Sequence, residues 1–478
     1  MENFSLNHTL LTPKLAVDRN GYAVYGSSIV LLFALAVAAL LSIASYPGFM
    51  SFDSVEALRQ AREGVEGSQY PPFGSYVWRV FDWIWPGPTL MQLFQNGALL
   101  ASFAWILNNI GWPVLVRLVI VAIFAMTPPL MGTMLVVWKD VAVAAFYLLS
   151  FATLHAIPAH ASIRRVRWMV AAAVLFLFFG MAYRFNAASG ALPILFYAIS
   201  KLWTAEKGRS SLREVFLASV AALLFLFLLV WVVNSFRFPE FSRLEKNTNM
   251  TSIMRYDLVG ISVYSGKSFL SDRSGDLIEP EYFRKIYDAR HLNITGHNDL
   301  DGRISDDARG LSRKWISAIY ANPTAYLKHR FAVFSEYVGF HDREVFYVTH
   351  PNVDENKFGI HQSPNKLTAM AVNYVVSFKQ SLVDRAWIYY VAGLLCLIFL
   401  YVANVKAYRL EATIVFGSAL FYLAPMYFIT PAGDLRYNFW SLCGAIVAIL
   451  FAVAGCIERF GKNGHLKISS DAVRAGVR

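Results

Sequence analysis

Four short runs set ionisable side chains beside long apolar stretches: Asp53 with Glu56, Trp138-Lys139-Asp140, Arg184-Phe185-Asn186, and Asp434-Leu435-Arg436-Tyr437. A carboxylate without an Asp-x-Asp partner, as at Asp53, suits proton abstraction better than metal binding. Lys139 offers an ammonium to an anion, and Arg184 and Arg436 offer planar forks that match phosphate bidentately. Charge near membrane depth is costly, so several such groups of both signs on one leaflet point to a site. Each also has a structural reading. Asp53 or Ser54 would serve as a helix N-cap, with Glu56 completing a capping box. Lys139 and Asp140 would neutralise each other in a turn, and Asp434 would hold Arg436.

The elements that carry these runs are membrane helices. The chain is 56% hydrophobic and only 16% charged, with a mean hydropathy of +0.43. A hydrocarbon core takes about 20 apolar residues per helix, and ten stretches approach that length: 26–46, 89–109, 113–130, 137–157, 168–183, 187–203, 213–236, 386–404, 411–430 and 438–457. The first lacks the short h-region and small-residue cleavage site of a signal peptide and reads as a retained helix. With the N-terminus inside, the short cytoplasmic segments hold 16 Lys/Arg and the short outer ones 6, which fixes both termini in the cytoplasm. The net charge of +11 is then largely this bias beside anionic lipid and implies no nucleic-acid partner. Cys396, Cys443 and Cys456 fall in predicted spans, so no outer disulfide is expected.

Two outer segments interrupt the spans. Residues 47–88 predict short interfacial helices, with Trp78, Phe81, Trp83 and Trp85 at headgroup level. Residues 237–385 hold 20 Lys/Arg and 18 Asp/Glu, a balance that predicts a folded, helix-rich soluble domain. Within it, Asn322-Pro323 divides one helical run from a second. Residues 1–236 form an N-terminal transmembrane module, 386–457 the C-terminal helices, and 458–478 a basic cytoplasmic tail.

An acid just outside the first span, a long first outer loop, many spans and a large late outer loop resemble the GT-C glycosyltransferases. The likeness is to bacterial members that draw sugar from a polyprenyl-phosphate donor and modify an envelope glycan. Phe52-Asp53-Ser54, Pro71-Pro72, Trp138-Lys139-Asp140, Arg184-Phe185-Asn186 and Asp434-Leu435-Arg436-Tyr437 carry it. The resemblance implies an all-α polytopic fold in the bacterial inner membrane, an active site on the extracytoplasmic face, and inverting transfer with Asp53 as general base. Glu56 and Asp140 stand as alternative acids. Lys139, Arg184 and Arg436 would bind the donor phosphate, supported by Asn186, Asp434 and Tyr437. Trp78, Trp83 and Trp85 would border a lipid entrance or simply anchor the chain in lipid. The expected partners are a lipid-linked sugar, a glycan or lipid-linked acceptor and membrane lipids, with no metal or other cofactor.

Other motifs fail. Gly455 to Lys462 has one residue too many for a P-loop, and His329, His341, His350 and His361 lack His-Glu-x-x-His spacing. A transporter or flippase of a lipid-linked saccharide is the non-enzymatic alternative, though one-sided charges and the lack of a repeat disfavour it. A glycan polymerase or ligase using a pyrophosphate donor is the third.

Overall fold

The computed structural model describes residues 22–67, 71–184, 186–208, 211–235, 243–245, 249–290, 310–341 and 349–475. Phe185 and parts of the outer segment therefore lie outside the described residues. The helices are α1 Tyr22–Ala44, α2 Phe52–Glu63, α3 Pro72–Ile84, α4 Thr89–Ile110, α5 Val114–Met126, α6 Pro128–Met134, α7 Lys139–His155, α8 Ile163–Tyr183, α9 Ala188–Lys207, α10 Leu212–Ser235, α11 Asn249–Ser265 and α12 Pro280–Ile286. They continue as α13 Leu311–Ala321, α14 Pro323–Val338, α15 Lys366–Ser377, α16 Ala386–Val402, α17 Arg409–Leu423, α18 Met426–Ile429 and α19 Phe439–Ala475. Two strands, β1 Val65–Gly67 and β2 Arg243–Glu245, pair in parallel.

Among the described residues, six helices are long and apolar enough to cross a membrane: Tyr25–Ala44, Thr89–Ile110, Ile163–Tyr183, Leu212–Ser235, Arg409–Ile429 and Leu435–Gly461. The remaining four predicted spans take other forms. Residues 113–130 belong to a helix pair bent by 71° between α5 and α6, because Pro128 and Pro129 open α6 without amide hydrogens to extend α5. The stretch at 386–404 is the shorter apolar helix α16. α7 is interior, buried from Asp140 to His155 except at Phe146 and Leu149, and packs on α4, α8 and α19. α9 holds Pro193 and ends in the polar run Thr204 to Lys207. The segment read as a basic tail continues α19 as helix to Ala475.

Lipid tails are as apolar as these helices, so close fit and hydrogen bonds hold the bundle together. A Cβ on Gly444 would lie 2.9 Å from that of Ala419, so the small residue lets α19 press on α17. The Ser418 hydroxyl donates to the Gly190 carbonyl at 2.5 Å and accepts from Trp440 Nε1 at 3.1 Å, joining three helices. α10 is the least covered span, at 22% buried.

The segment 237–385 divides. Tyr256, Leu258, Phe283, Leu311, Tyr326 and Val333 make a core of their own. Residues from 349 onward instead fasten to the bundle: Val353 bridges Met50, Ser363 N donates to Tyr46 O at 3.4 Å, and the Tyr374 hydroxyl donates to Met126 O at 2.8 Å. The Asn322-Pro323 break is as predicted, with Pro323 starting α14.

Candidate functional site

The segment 47–88 is braced before it presents anything. Val137 N donates to Phe49 O at 2.9 Å, the Ser54 hydroxyl to Val137 O at 2.8 Å and Trp138 Nε1 to the Ser51 hydroxyl at 2.8 Å. These bonds stitch 49–54 to the segment that opens α7. Arg62 grips Asp82 through two bonds of 2.8 and 2.7 Å, which fixes α2 against α3. Behind them, Gln92 Nε2 donates to the Ser45 hydroxyl, Met134 O and Leu135 O, and Asn96 Nδ2 also reaches Met134 O. Two amides of α4 thereby satisfy carbonyls left open at the end of α6.

α2 starts at Phe52, with Ser51 at the N-cap and no side-chain cap bond. The capping-box reading of Asp53, Ser54 and Glu56 therefore fails. Ser54 is spent on Val137, and Glu56 accepts two hydrogen bonds from Arg59 at 2.7 and 2.6 Å. Asp53 sits in the first turn and points at the turn that leads into the last helix of the bundle. Its Oδ2 lies 2.5 Å from Arg436 Nη2.

Arg436 is the hub. Its Nε is 2.6 Å from Asp434 Oδ2, and its Nη2 donates to the Tyr437 hydroxyl at 3.2 Å. Its guanidinium lies 4.8 Å from the Trp138 ring centre and 4.9 Å from that of Tyr437. The Asp434 carboxylate also accepts from Arg436 N at 3.2 Å, capping the short 3₁₀ turn 435–438. Burial pushes the Asp434 carboxyl up, and Arg436 pulls it back.

Arg184 lies on the other side of Tyr437, 4.9 Å from the ring centre. It pairs with Asp140 and donates through Nε to Asn186 Oδ1 at 3.0 Å. Asp140 is thus committed to Arg184 and buried to 2% exposure, so it does not form the predicted turn pair with Lys139. Asn186 in turn reaches Met426 Sδ at 3.1 Å. Lys139 opens α7, within coulombic reach of Arg184, Asp53 and Arg436.

Asp53, Lys139, Asp140 and Arg436 line one cleft of about 490 Å³. Its inner wall includes Gln95 and Tyr183, which the sequence did not single out. Both are buried, and Gln95 Oε1 and the Tyr183 hydroxyl find no hydrogen-bond partner among the described residues. Unsatisfied polar atoms on a cleft wall are what a polar ligand completes. Trp78, grouped by sequence with the interfacial aromatics, is instead buried in this wall, its Nε1 donating to Gly87 O at 3.3 Å. Trp83 and Trp85 stay outward, 86% and 57% exposed.

The arrangement can accept a proton at Asp53 while offering Arg436 and Lys139 to an anion. Among the described residues, no group of three or more His, Cys, Asp or Glu side chains could hold a metal ion. No family model, curated protein or solved structure matches this chain.

Proposed function

We propose that this chain is a membrane glycosyltransferase of GT-C type that moves a sugar from a polyprenyl-phosphate donor to a hydroxyl of an envelope glycan or lipid-linked acceptor. The observation that carries the reading is the Asp53–Arg436 pair, 2.5 Å apart in a cleft that also holds Lys139. The proposed frame has ten spans, both termini in the cytoplasm, and the cleft on the extracytoplasmic face of a bacterial inner membrane. Lipid donors would approach past the exposed rings of Trp83 and Trp85.

The pair suggests how substrate would arm the base. Before binding, Arg436 neutralises Asp53. A donor phosphate competes for that guanidinium and, with Lys139, takes over its charge. Asp53 is then left as a carboxylate beside the acceptor hydroxyl. The hydroxyl oxygen bonds to the anomeric carbon from the face opposite the phosphate, its proton passes to Asp53, and the bond from the anomeric carbon to the phosphate oxygen breaks. Polyprenyl phosphate leaves with the electron pair, its charge stabilised by preorganised cations. The configuration inverts. In this reading the cations do the work that a divalent metal does elsewhere.

Purified protein in nanodiscs should transfer sugar from a polyprenyl-phosphate donor, ignore the matching nucleotide sugar and keep its rate in chelator. Turnover with the nucleotide sugar alone, in a preparation free of carrier lipid, would overturn the donor assignment. Transport of the lipid-linked sugar without transfer would favour the flippase reading, and use of a pyrophosphate-linked donor the polymerase.

A further inference from the structure

Gly433 and Leu435 face away from the Asp53 cleft. They help to line a second cavity, of about 400 Å³, with Glu336, His341, Gln380, Asp384 and Arg385. The segment 433–437 is thus a wall between two cavities. One side presents Arg436 to Asp53, and the other closes a pocket between the end of α14 and the turn before α16. The Tyr337 hydroxyl donates to Tyr437 O at 3.1 Å across this wall.

Asp384 makes the second cavity more than a surface dent. It is 3% exposed, lines the cavity, and neither carboxylate oxygen has a well-formed hydrogen bond to a described residue. A buried carboxylate left in that state costs free energy unless something enters to satisfy it. The Gln380 backbone and Lys379 only partly offset burial, which pushes the carboxyl up to about 6. Gln380 adds a second oddity. Its φ is +69°, a left-handed conformation uncommon for glutamine and frequent at ligand sites.

We infer that this cavity is a second binding site, for one ring of a neutral saccharide. The lining alternates acceptors and donors. Asp384 and Glu336 accept, Arg385 and His341 donate, and the Gln380 amide does both. Glu336 Oε1 lies 3.0 Å from His341 Nδ1, so the two already answer each other in part. An ammonium ligand would meet Arg385, and a phosphate would meet two carboxylates. Hydroxyls, which donate and accept in turn, satisfy such a lining without net charge. The choice of saccharide rests on the reading of the chain as glycan-acting; the existence of the site does not.

Direct binding tests it. Full-length protein in nanodiscs is presented with methyl glycosides of common hexoses, pentoses and N-acetylhexosamines, and binding is read by saturation-transfer NMR. At least one glycoside should bind the wild type and Asp53→Asn alike. Asp384→Leu should weaken it by about tenfold or more, whereas Asp384→Asn, still able to accept from a hydroxyl, should stay within about threefold. If Asp384→Leu fails to fold, Gln380→Ala, a substitution on the exposed rim, should weaken the same glycoside with no change in melting. An effect of Asp384→Asn as large as that of Asp384→Leu would mean a cationic ligand and overturn the assignment. Absence of any glycoside binding by the wild type would overturn it as well. Binding lost in Asp53→Asn but kept in Asp384→Leu would place the sugar in the first cleft, sinking the second site and leaving the transferase reading intact. Transfer from the lipid donor, assayed in parallel, fails or succeeds independently of these outcomes.

Discussion

Two charged clusters in this molecule look alike in composition and differ in almost every physical respect. In the separate core around Tyr256 and Phe283, Asp257, His329 and Arg330 are all fully buried. Asp257 Oδ1 lies 2.7 Å from Arg330 Nη2 and 3.1 Å from His329 Nε2, and its Oδ2 accepts from Trp315 Nε1 at 2.7 Å. Burial lowers the His329 pKa despite Asp257, and the Tyr287 hydroxyl lies 2.9 Å from its Nδ1. Arg330 Nη1 reaches out to Thr430 O at 3.0 Å, tying this core to the loop that leads into Asp434. In the cleft, by contrast, Asp53 keeps 28% of its side chain exposed beside Arg436. A sealed cluster whose charges answer one another holds a fold, while a cluster with one open side is built to exchange partners.

The widest gap between the two should appear on removing each acid. Asp53→Asn should lower transfer by at least about 10²–10⁴-fold, while the melting temperature barely moves. Retention of a substantial fraction of wild-type turnover would demote Asp53 to a structural partner of Arg436. Asp257→Ala should do the reverse. It leaves Arg330 buried without its counter-charge, a loss of about 3–5 kcal/mol, visible as a large fall in melting temperature and weak membrane expression. A melting temperature within a degree or two of wild type would mean that the sealed cluster is not a strut.

Asp384 stands between these cases, buried like Asp257 but without its partners. Its carboxyl titrates at about 6 in the folded protein against 3.8 when exposed. The folded state therefore holds its proton longer. As pH rises from about 4 to 6 the unfolded chain ionises first, stability falls, and the loss persists above 6. Two pH units correspond to at most about 3 kcal/mol. Asp384→Asn should remove this fall, so its advantage in melting temperature over wild type should be larger at pH 7.5 than at pH 5. An equal advantage at both would mean that Asp384 is already satisfied in the native state.

Much of the cleft was legible because polar residues next to apolar runs are few. Asp53, Lys139, Arg184 and Arg436 could be read from span ends alone, and they do gather. Their pairing could not. Nothing in the sequence says that Asp140 turns to Arg184, or that Arg436 bridges Asp434 and Asp53, because partners set by tertiary packing leave no local spacing. Gln95 and Tyr183 were invisible for a similar reason: one amide and one phenol inside apolar helices look the same whether they face a cleft or a neighbour. Hydropathy does not separate lipid contact from enclosure by protein. α7 is apolar and enclosed by other helices, and residues from 349 onward attach to the bundle through hydrogen bonds that no hydropathy profile records.

The smallest predicted effect separates two acids that the sequence left side by side. Glu56 lies one turn beyond Asp53 on α2, and spacing alone does not say which of them faces a substrate. The geometry splits them. Glu56 turns back along its own helix to Arg59, an i,i+3 pair whose side chains are 15% and 21% exposed, and it does not line the cleft that contains Asp53. Partly exposed pairs of this kind contribute about 0.2–1 kcal/mol, reduced further by salt. Glu56→Gln keeps the length of the side chain and one acceptor oxygen for Arg59. It should shift the melting temperature by about a degree and leave transfer within about twofold of wild type, by the same measure that Asp53→Asn fails. A drop of several decades in Glu56→Gln with the fold intact would move the base from Asp53 to Glu56, and Arg59 would then be the cation to which the donor phosphate must be redirected.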